Sequence, residues 1–192
     1  APPMRVTYVG HATLLLDLGG VTLLTDPNFD DALGVALGSR LRRVTPPGVA
    51  LEALPRLDAV LVSHAHLDHL SLDSLRAVQA GLAERGEAPV PVLAPPAVAR
   101  WLARVGVDTA RALAPGEATA VPDRDGRGAV TVHAASAVHE GSRWGIDRWR
   151  SAANMYVVAA EDAACFFAGD TALAPDTHAL AARVARETGR AV

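Results

Sequence analysis

Short apolar runs, separated by glycine and proline, recur along the chain and predict a succession of β-strands. The first three runs cover residues 5–9, 12–18 and 21–25, and a Gly-Gly pair between the last two predicts a tight hairpin. The run 58–63 is apolar at consecutive positions, which is typical of a strand that is covered on both faces. Further strands are predicted at 89–94, 116–121, 129–135, 154–159 and 164–168.

Three segments have the apolar spacing of helices that bury one face. They are 72–85, 95–105, which has proline in its first turn, and 175–188, which is followed by Gly189. Segment 27–50 is punctuated by proline and glycine and is predicted to be a long loop with a short helix. Strands followed by strand–helix units and then by more strands predict a layered α/β sandwich, in which the helices cover the sheets.

Composition is that of one folded domain, or of two packed halves at about 1–115 and 116–192. The chain has 192 residues, of which 50% are hydrophobic and 20% charged. Its net charge of −3 argues against a nucleic-acid binder. A single cysteine, Cys165, excludes an internal disulfide and any all-thiolate metal site. No apolar run reaches the about 18 residues of a membrane helix, and no secretory signal pattern is present, so we expect a cytoplasmic location.

The candidate chemistry lies in the motif His-Ala-His-Leu-Asp-His, which directly follows the run that predicts a buried strand. His64 and His66 are two residues apart, so in extended backbone they project to the same side. Asp68 and His69 follow where the chain should turn toward the next helix. Imidazoles and a carboxylate suit Zn²⁺, and also Fe²⁺ or Mn²⁺. The alternative is a polar loop in which Asp68 or Ser71 caps the helix, but three histidines with an aspartate favour a metal site.

This motif is the signature of the metallo-β-lactamase superfamily. The chain resembles its branch of N-acyl-phosphatidylethanolamine phospholipase D-like and ascorbate-phosphate lactonase-like hydrolases. Further similarity lies in Tyr-Val-Gly-His-Ala-Thr at 8–13, Thr-Asp-Pro at 25–27, and the segments 43–48 and 57–60. The resemblance implies an αββα sandwich. It also implies a metal-dependent hydrolase in which a metal-bound hydroxide attacks a small ester, lactone or phosphodiester.

The resemblance also assigns roles to individual residues. One or two zinc ions, with Mn²⁺ or Fe²⁺ as alternatives, would be bound by His64, His66 and His139 at the first position, by Asp68 and His69 at the second, and by Asp170 at both. Asp68 would in addition be catalytic, because beside the bridging oxygen it could orient the nucleophile or handle a proton.

Other residues are candidates for supporting roles. The resemblance places His11 near the pocket, as a substrate contact or a contact to a ligand. Asp26 could orient a metal-binding imidazole, although a plain Asp-Pro turn explains it nearly as well. Arg143 and Arg148 lie in the arginine- and tryptophan-rich segment 142–150, which could bind a substrate phosphate or carboxylate. An ordered loop with Arg–Trp stacking explains that segment equally well.

One departure from the family pattern concerns the second metal. The family supplies one more histidine to it, well after the bridging aspartate, whereas no histidine follows His178 here. We therefore expect the second half of the fold to be incomplete, and a homo-oligomer to cover the open second sheet. The alternative function is a metal-binding but inactive, or partner-dependent, truncated member of the superfamily. A nuclease would need an added basic surface, and the sequence has none.

Overall fold

The computed structural model describes residues 4–36, 39–126, 128–143, 152–173 and 175–189. Its strands and helices are, in chain order, β1 (Arg5–Gly10), β2 (Thr13–Leu18), β3 (Val21–Thr25), β4 (Ala32–Ala36), β5 (Ser39–Arg42), a 3₁₀ helix (Leu51–Ala53), β6 (Ala59–Leu61), α1 (Leu72–Glu84), β7 (Val92–Ala94), α2 (Pro96–Arg104), β8 (Ala110–Ala112), β9 (Ala118–Pro122), β10 (Ala129–Ser136), β11 (Asn154–Ala159), β12 (Ala164–Phe167) and α3 (Pro175–Thr188).

Two sheets carry most of these strands. The first has the order β1-β2-β3-β6-β7-β8; β1 to β3 are antiparallel, and β3, β6, β7 and β8 run parallel. The second is antiparallel, with the order β12-β11-β10-β9. Because β3 and β6 are parallel neighbours, the residues that follow each of them emerge at the same edge of the first sheet.

The packing confirms a four-layer αββα sandwich. Leu75 of α1 and Leu102 of α2 pack in one apolar cluster with one face of the first sheet. The opposite face of that sheet packs against the second sheet, where Leu23 and Tyr156 share a cluster. The outer face of the second sheet packs against α3 through a cluster that includes Leu180.

Strand β6 shows why a continuous apolar run is required at this place. Ala59 and Leu61 point into the cluster between the sheets, whereas Val60 and Val62 point into the cluster under α1 and α2. All four are fully buried. Successive side chains of a strand alternate between faces, so a strand in a central layer needs apolar residues at every position. The prediction of a strand covered on both faces is therefore confirmed.

Segment 27–50 corrects the prediction of a long loop with a short helix. Strands β4 and β5 pair within it as an antiparallel hairpin, and the short 3₁₀ helix begins only at Leu51. The register shifts between Ala32 and Gly34, and this irregularity hides the alternating pattern of a strand. The sequence pattern also misses β8, three residues that pair with β7 at the edge of the first sheet.

Strands β1 and β12 form the edges of their sheets and carry exposed apolar side chains. Met4, Val6 and Tyr8 are exposed along β1, and Phe166 is exposed on β12. Large exposed apolar patches are typical of interaction surfaces. These side chains are therefore a candidate interface for the predicted homo-oligomer. In the part of the chain that the structure describes, no helix is both long and apolar enough to cross a membrane.

Candidate metal centre

Four chain segments meet where strands of both sheets end. Asp26 follows β3, and Ser63 and the histidine motif follow β6. His139 follows β10, and Asp170 follows β12. Backbone hydrogen bonds link these ends: Asn154 N donates to Ser63 O at 2.9 Å, and Ala172 N donates to Val138 O at 3.1 Å. The sandwich thus gathers the predicted ligands of distant sequence position at one edge, as open α/β sheets do with their sites.

The first donor group consists of His64, His66, His139 and Asp170. His64 Nε2 lies 2.9 Å from His66 Nδ1, and His139 Nε2 lies 3.1 Å from the same His66 atom. Asp170 Oδ2 lies 3.7 Å from His139 Nε2. One ligand atom from each residue fits within 4.8 Å of all the others. These four side chains could therefore coordinate a single ion.

The fully buried carboxylate of Asp26 determines how two of the imidazoles are turned. Its Oδ2 accepts hydrogen bonds from His69 Nδ1 at 2.8 Å and from Ser63 Oγ at 2.5 Å. Because the Ser63 hydroxyl hydrogen is directed to Asp26, Ser63 Oγ accepts from His64 Nδ1, 2.9 Å away. Both imidazoles therefore carry their hydrogen on Nδ1. In the neutral imidazole, Nε2 of each is then left with a lone pair that faces the site.

The contacts of His66 fit a bound cation better than they fit hydrogen bonding alone. His66 Nδ1 faces the nitrogens of both His64 and His139 at hydrogen-bond distance, yet it can carry only one hydrogen. Hydrogen bonding therefore satisfies at most one of these contacts well, whereas a cation at the point of convergence would bind all three lone pairs. Neutral imidazoles with a carboxylate are ligands of zinc, iron and manganese. The residues fit the metal that the sequence motif implies.

Burial sets the charge state of these groups. Burial, together with the neighbouring imidazoles of His69, His66 and His139, lowers the pKa of His64 to about 2. His64 is therefore neutral at physiological pH, as a metal ligand must be. Burial raises the pKa of Asp26, but the donors His69 and Ser63 act against this and favour the carboxylate form.

The second donor group consists of His11, Asp68 and His69, and it adjoins the first through Asp170. His69 Nε2 lies 3.3 Å from Asp170 Oδ1 and 3.8 Å from Asp68 Oδ2. His11 Nε2 lies 2.9 Å from the same Asp68 oxygen. The two oxygens of Asp170 thus face the two groups, His69 on one side and His139 on the other. This is the arrangement in which one carboxylate can join two cations.

Several contacts hold the loop that carries these ligands. Ser71 Oγ accepts a hydrogen bond from Ser74 N at 3.0 Å and caps α1, which leaves the carboxylate of Asp68 free to face the site. The buried amide of Asn28 donates to Leu67 O at 3.0 Å and to Asp68 O at 3.2 Å. Asn28 belongs to none of the motifs above; its position directly after Asp26-Pro27 is the local sequence feature that indicates a role at this corner.

Arg143 also contacts this loop, in a way that the sequence does not indicate. Its Nη1 donates to Ala65 O at 3.0 Å and to Leu70 O at 2.8 Å, and its guanidinium lies 5.1 Å from the ring centroid of Trp101. The structure therefore places Arg143 under the ligand loop and stacked on a tryptophan. Binding of a substrate anion by Arg143 stays a prediction, and Arg148 lies outside the described residues.

Close approach of two chain segments explains one glycine of the site. Gly169 has φ +54°, and a Cβ there would lie 2.6 Å from Ser63 Cβ. Only glycine combines this conformation with the missing side chain. It lets the loop that carries Asp170 pack directly on the end of β6.

His178 is exposed on α3 and belongs to neither donor group.

Comparison with known proteins defines the class of this fold and site. The chain matches the beta-lactamase superfamily domain over residues 22–187 and belongs to that family. It is 30% identical over 170 residues to N-acyl-phosphatidylethanolamine-hydrolyzing phospholipase D 1 of Caenorhabditis elegans, covering 86% of this chain and 46% of that protein. It is 27% identical over 175 residues to a UPF0173 metal-dependent hydrolase of Pyrobaculum arsenaticum, covering 90% of this chain and 64% of that protein.

Solved structures show the same fold. Igni18, a metallo hydrolase of Ignicoccus hospitalis, superposes with a TM-score of 0.65 at 18% identity and covers 93% of this chain and 66% of its own. An isothiocyanate hydrolase from Delia radicum gut bacteria gives a TM-score of 0.65 at 22% identity, over 93% of this chain and 67% of its own. The chain spans about half the length of the nematode relative.

Proposed function

We propose that this chain is a metal-dependent hydrolase that acts on a small phosphodiester, ester or lactone. The observation that carries the proposal is the pair of adjacent donor groups with Asp170 between them. Five imidazoles and two carboxylates converge there, in a family whose relatives include metal-dependent hydrolases. Titratable side chains that converge in this way are typical of functional sites.

Each donor group has a distinct role in this proposal. His64, His66 and His139 would hold the first cation, Asp68 and His69 the second, and Asp170 would contact both. Bound cations of this kind lower the pKa of water and stabilise negative charge on a reacting oxygen. Asp26 orients His64 through Ser63 and orients His69 directly, so that two imidazoles are turned before any ion arrives.

Asp68 is the group that we assign to proton handling. Its side chain is 38% exposed, whereas the side chain of His69 is only 3% exposed. An exposed carboxylate at the rim can accept a proton from the attacking water and pass it to solvent or to the leaving group. His11, at 2.9 Å from Asp68 Oδ2, can position this carboxylate.

The substrate class that we favour is a phosphodiester that carries an apolar group. The nematode relative, which aligns with 86% of this chain, is a phospholipase D by name. A cavity of about 390 Å³ adjoins the second donor group, and Leu14, Phe166 and Phe167 contribute apolar surface to its wall. Apolar walls beside a few polar groups are typical of small-molecule sites, and this wall could accept an acyl or alkyl chain.

The experiment that tests this function compares metal-loaded and metal-free protein. Protein stripped with a chelator is reloaded with Zn²⁺, Mn²⁺ or Fe²⁺ and assayed with bis(p-nitrophenyl) phosphate, an N-acyl-phosphatidylethanolamine, an aryl ester and a lactone. We expect turnover that depends on metal, with a phosphodiester preferred. Asp58→Asn is a control variant that should keep the turnover of wild type, because it changes a buried aspartate outside the donor groups. Asp58 accepts hydrogen bonds from Thr22 N and Arg124 N at the opposite end of β6. Metal-loaded, folded protein that turns over none of these substrates would contradict the proposal.

A second candidate is a metal-binding protein that needs a partner for activity. The observation in its favour is that the chain covers only 46% of the nematode relative. The exposed apolar side chains along β1 and on β12 offer a surface for such a partner. Metal-dependent turnover by a protein that light scattering shows to be monomeric under assay conditions would exclude this candidate.

A further inference from the structure

The second donor group has fewer ligands than the first. Three imidazoles and one carboxylate form the first group, whereas the resemblance supplies only Asp68, His69 and the shared Asp170 to the second. Zinc takes three protein ligands in catalytic sites and four in structural sites. A second cation held by Asp68, His69 and Asp170 therefore has room for a fourth protein ligand, and the structure groups His11 with Asp68 and His69.

We propose that His11 is this fourth ligand of the second cation. The inference rests on the proposed function, since it concerns the metal that this function requires. His11 Nε2 lies 2.9 Å from Asp68 Oδ2, and one ligand atom each of His11, Asp68 and His69 fits within 4.8 Å of the other two. His11 and His69 approach edge to face, with ring centroids 5.3 Å apart.

The backbone at His11 is held in an unusual conformation that directs the imidazole toward the site. Its φ is +55°, in the left-handed region that non-glycine residues seldom adopt. The turn after β1 is fixed at this place, because His11 N donates to Tyr8 Oη at 2.9 Å. A strained residue of this kind persists where surrounding contacts impose it, and such residues cluster at functional sites.

Contacts to the Asp26 corner tie this turn to the rest of the metal centre. Thr13 Oγ1 donates to Asp26 O at 2.7 Å, and Thr25 Oγ1 donates to Ala12 O at 2.9 Å. Thr13 also accepts a hydrogen bond from Asn28 N, and Asn28 holds the loop of Asp68. The turn of His11 and the loop of Asp68 are thus built on one common support, so their separation is set by the fold.

The contact between His11 and Asp68 has a simple competing explanation. A histidine that hydrogen-bonds a carboxylate can position it for proton transfer without touching a metal. The two roles differ in what they do to metal content: a ligand contributes to binding of the second ion, whereas a positioning residue affects turnover at unchanged occupancy. When the cation binds, it would replace the hydrogen between the two side chains, as metal binding to imidazole generally does.

The test measures metal content per chain, which does not depend on activity. Wild type, His11→Gly and His11→Asn are dialysed to equilibrium against a fixed free Zn²⁺ concentration, and the zinc bound per chain is measured by elemental mass spectrometry as the difference between the two compartments. Glycine and asparagine tolerate a positive φ, so both variants should keep the turn, which circular dichroism and thermal melting check. His178→Gln is the matched control, because His178 is an exposed histidine of α3 outside both donor groups.

We expect about two equivalents of zinc in wild type and His178→Gln, and about one in both His11 variants. A titration with Co²⁺, followed by its visible absorption, should show the weaker of the two binding steps lost or weakened by about tenfold or more in the variants. Two equivalents with unchanged affinity in the His11 variants, or one equivalent in wild type, would overturn the inference while leaving a metal-dependent function intact. No bound metal in folded wild type would instead contradict the proposed function itself.

Discussion

The two donor groups are built to different degrees of rigidity. In the first, His64 is fully buried, and its Nδ1 hydrogen is held by Ser63, which is held in turn by Asp26. In the second, the side chains of His11 and Asp68 are 36% and 38% exposed and are held mainly by each other. Preorganised ligands lose little freedom when an ion binds, whereas exposed ligands must be ordered by it. We therefore expect the first cation to bind tightly and the second to exchange.

Asp26 reduces this difference in rigidity, because its carboxylate supports one imidazole of each group. It accepts from His69 directly and acts on His64 through Ser63. The second group thus has one well-oriented member, His69, and two members at the rim. Changes at Asp26 should act on both groups, and changes at the rim should act on the second group alone.

The largest effect is expected from His64→Gln. This change removes the most buried ligand of the first group, and glutamine cannot reproduce a neutral imidazole lone pair at Nε2. Loss of a cation that contributes several kcal/mol of charge stabilisation lowers kcat/KM by about 10³-fold or more, as each 1.36 kcal/mol is about tenfold. The measurement combines zinc content with turnover of bis(p-nitrophenyl) phosphate.

His178→Gln is the control for this change, since it makes the same replacement at the exposed surface of α3. It should retain both metal and turnover. If His64→Gln kept the metal content and rate of wild type, the first donor group would not be the principal cation site, and the contrast between the two groups would be lost.

A smaller effect that spans both groups is expected from Asp26→Asn. If the amide nitrogen replaces Oδ2, both Ser63 Oγ and His69 Nδ1 lose their acceptor; if it replaces Oδ1, Ser63 N loses its acceptor. Loss of such an orienting partner typically weakens metal binding by about 10- to 100-fold. Competition of the protein with a chromophoric chelator measures the affinity of each cation.

Asp58→Asn provides the comparison for Asp26→Asn. Both aspartates are buried and accept backbone hydrogen bonds at opposite ends of β6, so the two changes should cost similar thermal stability. Only Asp26→Asn should weaken metal binding. Equal weakening by both variants would mean that general loosening of the sheet, rather than orientation of the imidazoles, is responsible.

The sequence predicted the layers and the ligand motif because both depend on local patterns. Consecutive apolar residues at Val60 to Val62 can serve only in a strand covered on both faces, and they are found there. The family resemblance, rather than the local motif, implied that His139 and Asp170 join the histidines of the loop after β6, and the structure brings these side chains together. That these side chains bind metal stays a prediction of the motif.

Features that depend on contacts between distant segments could not be predicted from local patterns. The β4–β5 hairpin has a register shift at Gly34, and β8 has only three residues, so neither has a readable alternation. Asn28 supports the ligand loop across 40 residues of sequence, through its contact to Asp68 O. The contacts of Arg143 depend likewise on how two loops pack.

Arg143→Lys should have a moderate effect that is equal for both cations. The guanidinium bonds Ala65 O and Leu70 O, which flank the loop that supplies ligands to both groups. Both carbonyls accept from the single atom Nη1, and lysine lacks the planar group whose stacking on Trp101 keeps that donor in place. Hydrogen bonds of charged groups contribute about 1.5–3 kcal/mol each. We expect thermal unfolding to shift down by several °C and both affinities to fall about tenfold. The check is calorimetry of metal-free protein combined with metal titration.

The matched change for Arg143 is Arg76→Lys. Arg76 also donates to a backbone carbonyl, Val105 O at 2.7 Å, but it lies on the exposed face of α1, away from the ligand loop. Its replacement should leave both affinities unchanged. An effect of Arg143→Lys on one cation only would mean that the loop does not move as a unit, and the two groups would then be more independent than Asp26 suggests.

The smallest effect, confined to the second group, is expected from Tyr8→Phe. It removes the oxygen that accepts from His11 N at 2.9 Å and leaves the ring in place. A hydrogen bond of about 0.5–1 kcal/mol at an exposed site corresponds to a two- to fivefold weaker second cation, with the first unchanged. Val6→Ala, on the same exposed face of β1, is the control and should change neither affinity. An equal loss at the first cation would show that His11 acts on the whole centre rather than on its exposed half.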